Sequence, residues 1–163
     1  MGRRYWLLKS DPDTFGIRHL KRSRNQTTCW DGVRNYQARN LLRDEISVGD
    51  QVLFYHSRTE PPAVVGLARV VRSGYPDPTQ FHPRSRYHDP GSKRSDPRWF
   101  AVDIRLEREL GRPLTLPELR AVPGLEDMVL LRKGSRLSVQ PVTAEEWRIV
   151  SRLARARPGR SER

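Results

Sequence analysis

The apolar residues of this chain come in short runs, and short runs restrict it to brief strands joined by brief helices. Residues 5–9, 51–56, 63–71, 99–106 and 136–142 each read as a strand. The 99–106 run alternates Trp99, Ala101, Asp103 and Arg105 against Phe100, Val102, Ile104 and Leu106, the pattern of a half-buried strand. Pro12 stops pairing after the first run, Ser47 to Asp50 makes a turn before the second, and Gly66 marks a bulge or close approach in the third. Between them lie short helices: residues 15–20 behind Asp13, and 36–43 behind Asn35 as N-cap. Two capping boxes, Thr115 with Glu118 and Thr143 with Glu146, open two more, the second running through Trp147, Val150 and Leu153. Residues 21–28 read as a loop, and 74–97, rich in proline, as a long irregular segment of the functional or mobile kind. The strands do not alternate with long helices, which argues against a doubly wound sheet. The expectation is an α+β, mainly β, partly open β-barrel of about five or six strands with short helices at the junctions.

A length of 163 residues suits one domain, taken as 1–154, with 155–163 a basic, disordered tail. The net charge is +12, and of 31 basic residues only Lys9, Lys21, Lys93 and Lys133 are lysine. Such a balance favours a polyanionic partner, most often nucleic acid, over an arginine-rich composition with no ligand behind it. The single cysteine, Cys29, rules out an internal disulfide or a cysteine-rich zinc site and points to a reducing compartment. No run approaches the roughly 20 apolar residues of a membrane helix. A cytoplasmic, monomeric protein without metal or cofactor is expected, with nucleoid association an extension of that.

Residues 30–40 crowd Trp30, Tyr36, Arg34, Arg39, Asn35, Asn40 and Gln37 into a stretch that neither alternation nor helical amphipathicity explains. Rings offer stacking faces, and side-chain amides carry donor and acceptor together, so they can read the edge of a heterocycle. Arginine adds affinity for phosphate. This is the equipment of a nucleobase pocket; the plain alternative is a strand-to-helix connection with a core tryptophan and a capped helix.

Six blocks carry a resemblance: residues 5–12, 30–40, 52–57, 75–81, 97–99 and 133–142, from Tyr5-Trp6-Leu7-Leu8-Lys9-Ser10-Asp11-Pro12 to Lys133-Gly134-Ser135-Arg136-Leu137-Ser138-Val139-Gln140-Pro141-Val142. In this order, over about residues 4–150, they resemble the EVE domain, as found in the thymocyte nuclear protein family and in bacterial stand-alone proteins. The resemblance implies a PUA-like fold and a non-catalytic reader of modified bases in DNA or RNA, with modified cytosine such as 5-methylcytosine as ligand. Two departures stand out: Asp11 replaces the more usual glutamate, and the tail after Leu153 lies outside the pattern.

A reader must flip or capture a base, hold its ring and sense its edge, with stacking worth about 1–3 kcal/mol per base against a flipping cost of similar size. Trp30 is the first choice for the stacking platform, so Trp30→Ala should lower affinity with the fold intact. Tyr55, His56 and Ser57 end a strand beside a turn, where ligand contact is favoured, although His56 also suits the core. Trp99 is a second wall, whereas Trp6 and Trp147 read as core. Ser10, Asn35 and Asn40 are the edge readers, joined by Arg136 and Ser138, which stand opposite the first strand in barrels of this kind. Lys9, Arg34, Arg39 and Lys133 are the phosphate contacts, each with a solvated surface charge as its bland reading. The rival function is an enzyme acting on RNA or a modified nucleoside, as in ASCH-type domains, with Lys9 or a serine as base or nucleophile. Cys29 beside Trp30 reads as a small buried hydrophobe.

Overall fold

The computed structural model describes residues 2–156, so most of the expected tail lies outside the described residues. Six strands form one mixed sheet: β1 (Tyr5–Ser10), β2 (Thr27–Trp30), β3 (Gln51–His56), β4 (Ala63–Pro76), β5 (Phe100–Thr115) and β6 (Val139–Val142). Their order is β2-β5-β4-β3-β1-β6, with β1 and β3 parallel and every other pair antiparallel. The helices are α1 (Pro12–Phe15), α2 (Ile17–Arg22), α3 (Tyr36–Asn40), α4 (Leu116–Arg120) and α5 (Ala144–Ala156). The expected open, mainly β architecture with short helices at the junctions is what forms.

Both faces of the sheet are covered, and period-two alternation sorts the side chains between them. Trp6 and Leu8 of β1 join Val52 and Phe54 of β3 in one core with Trp30, Leu42 and Ile104. The intervening Leu7, Leu53 and Tyr55 enter a second core with Leu119, Trp147 and Val150 of α4 and α5. Asp50 ties the first core to a turn by accepting from the indole Nε1 of Trp6 at 2.9 Å, Arg4 N at 3.0 Å and Ser47 N at 2.9 Å.

Register shifts interrupt the β3–β4 pairing once and the β4–β5 pairing at four places. Bulges bend a strand and increase its twist. The sheet curls so far that β1, with the segment entering β6, and β2, at the opposite edge, face one cavity. Gly66 sits at one of these shifts, where a Cβ would collide with the side chain of Ile17.

Several boundaries differ from the sequence reading. The helix expected over 15–20 is two, because Gly16 takes an extended conformation between them; Asp11, not Asp13, caps the first by accepting from Asp13 N. The supposed loop 21–28 ends in β2, a four-residue edge strand too short to show alternation. The 99–106 strand runs on to Thr115 because its outer residues, Glu107 to Glu109, are exposed charges that break the apolar pattern without breaking the pairing. Asn35 and both capping boxes cap as expected, Asn35 accepting from Ala38 N at 2.9 Å.

Candidate nucleic-acid interface

Where the two edges of the curled sheet approach, a cavity of about 660 Å³ opens. Such a volume lies within the roughly 300–1,000 Å³ of small-molecule sites. Lys9 and Ser10 reach it from the end of β1, Ser138 from the segment before β6, and Trp30 from the end of β2. Trp30 is only 7% exposed, its ring set edge-on to Phe54 at 5.5 Å and to Phe15 at 6.3 Å. It is therefore a wall fixed by the core. Removing it would leave a cavity in the first core at a cost of about 3–5 kcal/mol, so the expectation that Trp30→Ala leaves the fold intact is corrected here.

Ser10 donates its hydroxyl to the carbonyl of Phe15, while its own carbonyl accepts from Ser57 N at 2.9 Å. The Ser138 carbonyl accepts from Lys9 N at 2.9 Å, which leaves the Ser138 hydroxyl facing the cavity without a protein partner among the described residues. Burial lowers the pKa of Lys9.

Arg34 also lines the cavity but is committed elsewhere. Its Nε donates to Tyr87 O at 3.2 Å, Nη1 to Val33 O and Asp77 Oδ2 at 3.0 Å, and Nη2 to Thr79 Oγ1 at 3.1 Å and Tyr87 O at 2.7 Å. A guanidinium has five N–H donors, and these bonds occupy all of them. Arg34 thus braces the site, and its assignment as a phosphate contact is corrected on that ground. Fully buried Asp77 receives this brace together with Gly32 N at 2.8 Å and the backbone and hydroxyl of Thr79. Burial opposes its ionisation, but the bonds from Thr79, Gly32 and Arg34 prevail and hold the carboxyl below its ordinary value.

The other sequence candidates stand away from the cavity lining. Asn35 caps α3, and Asn40 accepts from Arg39 Nε at 2.8 Å. Arg39 also donates to Arg98 O at 2.7 Å and lies over Tyr36. Trp99 stacks on Tyr36 at 4.8 Å and donates its indole N–H to Asp89 at 2.7 Å. Tyr55 sits in the second core, where burial pushes its phenol up to about 12. His56 accepts from Ile17 N at 3.1 Å and lines a different cavity of about 410 Å³ beside Arg112 and Pro61. Ser57 pairs with Ser10, and Lys133 and Arg136 are exposed on the turn before β6.

The cavity also contains residues that the sequence reading passed over: Asp31, Arg58, Arg86, Tyr87 and Phe15. Tyr87 lies across Gly32, whose φ of +79° and missing side chain allow the approach; a Cβ there would sit 2.7 Å from the ring. Arg58 and Arg86 are exposed at the rim, and neither they nor Lys9 pairs with a carboxylate among the described residues. The signal for Tyr87 and Arg86 was the length of the 74–97 segment, since long loops on a rigid scaffold carry function. That segment is anchored by buried polar groups: Gln80 donates to Asp77 O and Trp99 O and accepts from Ser92 Oγ and Trp99 N. Cys29, at the cavity wall, is pushed up to about 11, chiefly by burial and secondarily by neighbouring carboxylates against a bond from Tyr75.

Among the described residues no helix is long and apolar enough to cross a membrane. The EVE domain model matches residues 4–153. The chain is 45% identical to thymocyte nuclear protein 1 of Danio rerio over 94% of its own length and 73% of that protein's. A crystal structure of a protein from Pseudomonas putida superimposes with a TM-score of 0.86 at 47% identity, covering 92% of this chain and 99% of the other. The human THYN1 protein, crystallised in complex with DNA containing 5-methylcytosine, gives a TM-score of 0.86 at 40% identity over 95% and 99% of the two chains. The chain belongs to the EVE domain family.

Proposed function

We propose that this chain is a non-catalytic module that takes a modified cytosine of DNA or RNA into the cavity between β1 and β2. The observation that carries the reading is the cavity itself: about 660 Å³, walled by Trp30 and Tyr87, and rimmed by Lys9, Arg58 and Arg86, none of which pairs with a carboxylate among the described residues. Aromatic walls stack a base, and unpaired cations at the rim meet the phosphates on either side of it. The human relative crystallised with 5-methylcytosine DNA supports modified cytosine as the ligand. A duplex target requires the base to be flipped out at a cost of a few kcal/mol, offset by stacking and edge contacts. The setting proposed is a monomer in the cytoplasm or on the nucleoid, with residues 1–154 as the functional unit.

One observation favours a second reading, an enzyme that uses Lys9 on RNA or a modified nucleoside: burial shifts Lys9 toward the neutral form. Against it, burial raises the pKa of Cys29, which disfavours a thiolate nucleophile in the same cavity. Mass analysis of oligonucleotides and free modified nucleosides after incubation separates the two, because a reader leaves both unchanged.

The test of the leading reading is fluorescence anisotropy on single- and double-stranded oligonucleotides carrying cytosine, 5-methylcytosine, hydroxymethylcytosine or methyladenine. Ser138→Trp fills the cavity from a position where the side chain has no protein partner. The expected result is a preference for a modified cytosine that Ser138→Trp abolishes. A preference untouched by Ser138→Trp would place the base elsewhere.

A further inference from the structure

Asp31 is a charged group on the cavity wall that works against nucleic acid. A carboxylate among Lys9, Arg58 and Arg86 repels phosphate, and it stands beside a second one, Asp77, of the same charge. Asp77 is fully employed by Gly32, Arg34 and Thr79. Asp11, the other acid on the cavity wall, caps α1. Asp31 does neither: among the described residues no other residue donates a hydrogen bond to its carboxylate, although its backbone N–H is bonded to Cys29 O at 3.1 Å. Loss of hydration and the charge of Asp77 raise its pKa, with Arg34 acting in the opposite direction. The fold thus keeps an acceptor at the cavity wall that its own donors do not serve.

A carboxylate accepts and does not donate. Among bases, cytosine presents an amino donor at C4, whereas thymine presents a carbonyl oxygen at the same place. A 5-methyl group on cytosine gives the two rings the same outline and the same O2, so they are told apart on one edge, at position 4 and at N3, an acceptor in cytosine and a donor in thymine. A pocket that only felt the methyl group would fill with thymine, which is present throughout DNA. Resting on the modified-cytosine reading above, we propose that Asp31 is the specificity-determining residue that accepts a hydrogen bond from the 4-amino group of the captured base and rejects thymine by opposing its O4. Against thymine two acceptors meet with no proton between them, and both lose their hydration. The negative charge that costs affinity for the backbone is thereby turned into discrimination at the base.

The experiment compares two duplexes that differ at one position, 5-methylcytosine opposite guanine or thymine opposite guanine. A mismatched base is easier to flip, so the bias of the comparison runs toward thymine. The wild-type protein is expected to bind the 5-methylcytosine duplex at least about tenfold more tightly, the scale of one good edge contact. In Asp31→Ala the ratio falls toward one through weaker binding of 5-methylcytosine, with thymine binding unchanged or stronger. In Asp31→Asn the amide can present either a donor or an acceptor, so the two duplexes bind within about threefold of each other. The Asp31 side chain serves no other described residue and is repelled by Asp77, so both variants keep or exceed the wild-type melting temperature. An unchanged ratio in Asp31→Ala, or a wild-type protein that binds both duplexes equally, overturns the proposal. If Ser138→Trp removes the preference while Asp31→Ala keeps it, base capture stands and Asp31 alone falls. If Ser138→Trp leaves the preference intact, the capture reading fails first and takes this inference with it.

Discussion

Gly32 and Tyr87 show how one missing side chain shapes the site. The backbone at Gly32 is left-handed, and its hydrogen-only side is where the Tyr87 ring rests. Gly32→Ala would face both a φ of +79° and a ring 2.7 Å from the new Cβ. It should destabilise the protein by about 1–3 kcal/mol and weaken binding of the modified base by displacing Tyr87, as thermal melting and anisotropy would show. His56 illustrates a different constraint. Its Nε2 must be unprotonated to accept from Ile17 N, and burial lowers its pKa from the ordinary histidine value. In the range between the lowered folded pKa and the unfolded value of about 6.5, the unfolded chain binds more protons. The contribution is therefore complete above that value and is lost as pH falls below it. Denaturant unfolding at pH 7.5 and 5.5 should show lower stability at the acid end, with less of that slope in His56→Gln.

At the scale of elements, the segment from Asp77 to Trp99 is held by a few buried polar groups in place of an apolar core. Asp77→Asn removes the charge that satisfies Arg34 and leaves that guanidinium half-buried and short of an acceptor. The expected cost is about 3 kcal/mol, with faster proteolytic cleavage within the segment as the readout. This mode of anchoring also explains what the sequence could and could not tell. The strands β1, β3 and β4 were legible because their apolar residues are buried on two faces, and the caps of α3, α4 and α5 because a cap is a local bond between near neighbours. The cavity wall was legible only where it coincided with a strand end or a dense polar motif: Lys9, Ser10, Trp30, Arg34 and Ser138. Tyr87 and Arg86 come from a segment whose placement depends on contacts such as Gln80 with Trp99 and Asp77 with Gly32, separated by 19 and 45 residues, and Arg58 comes from the bend after β3. No periodicity encodes such pairings. Asn35 and Arg34 were candidates for a base edge and a phosphate, and the geometry spends one on a helix end and the other on a loop.

The whole molecule carries +12, a charge that attracts any polyanion regardless of sequence. Binding should therefore weaken steeply with salt. Removing a cation that touches phosphate lowers the slope of log affinity against log salt by about one. Arg58→Ala and Arg86→Ala are each expected to show that drop, equally for methylated and unmethylated oligonucleotides, whereas Arg34→Lys would act through instability and leave the slope unchanged. A titration of anisotropy against potassium chloride measures both. The curl of the sheet has a mechanical implication as well. Its two unpaired margins, β2 and β6, are separated by four strands along the hydrogen-bonded order but face each other across the cavity. An occupant touching Trp30 on one margin and Ser138 on the other is a keystone: it closes as a ring what the backbone leaves as an arc.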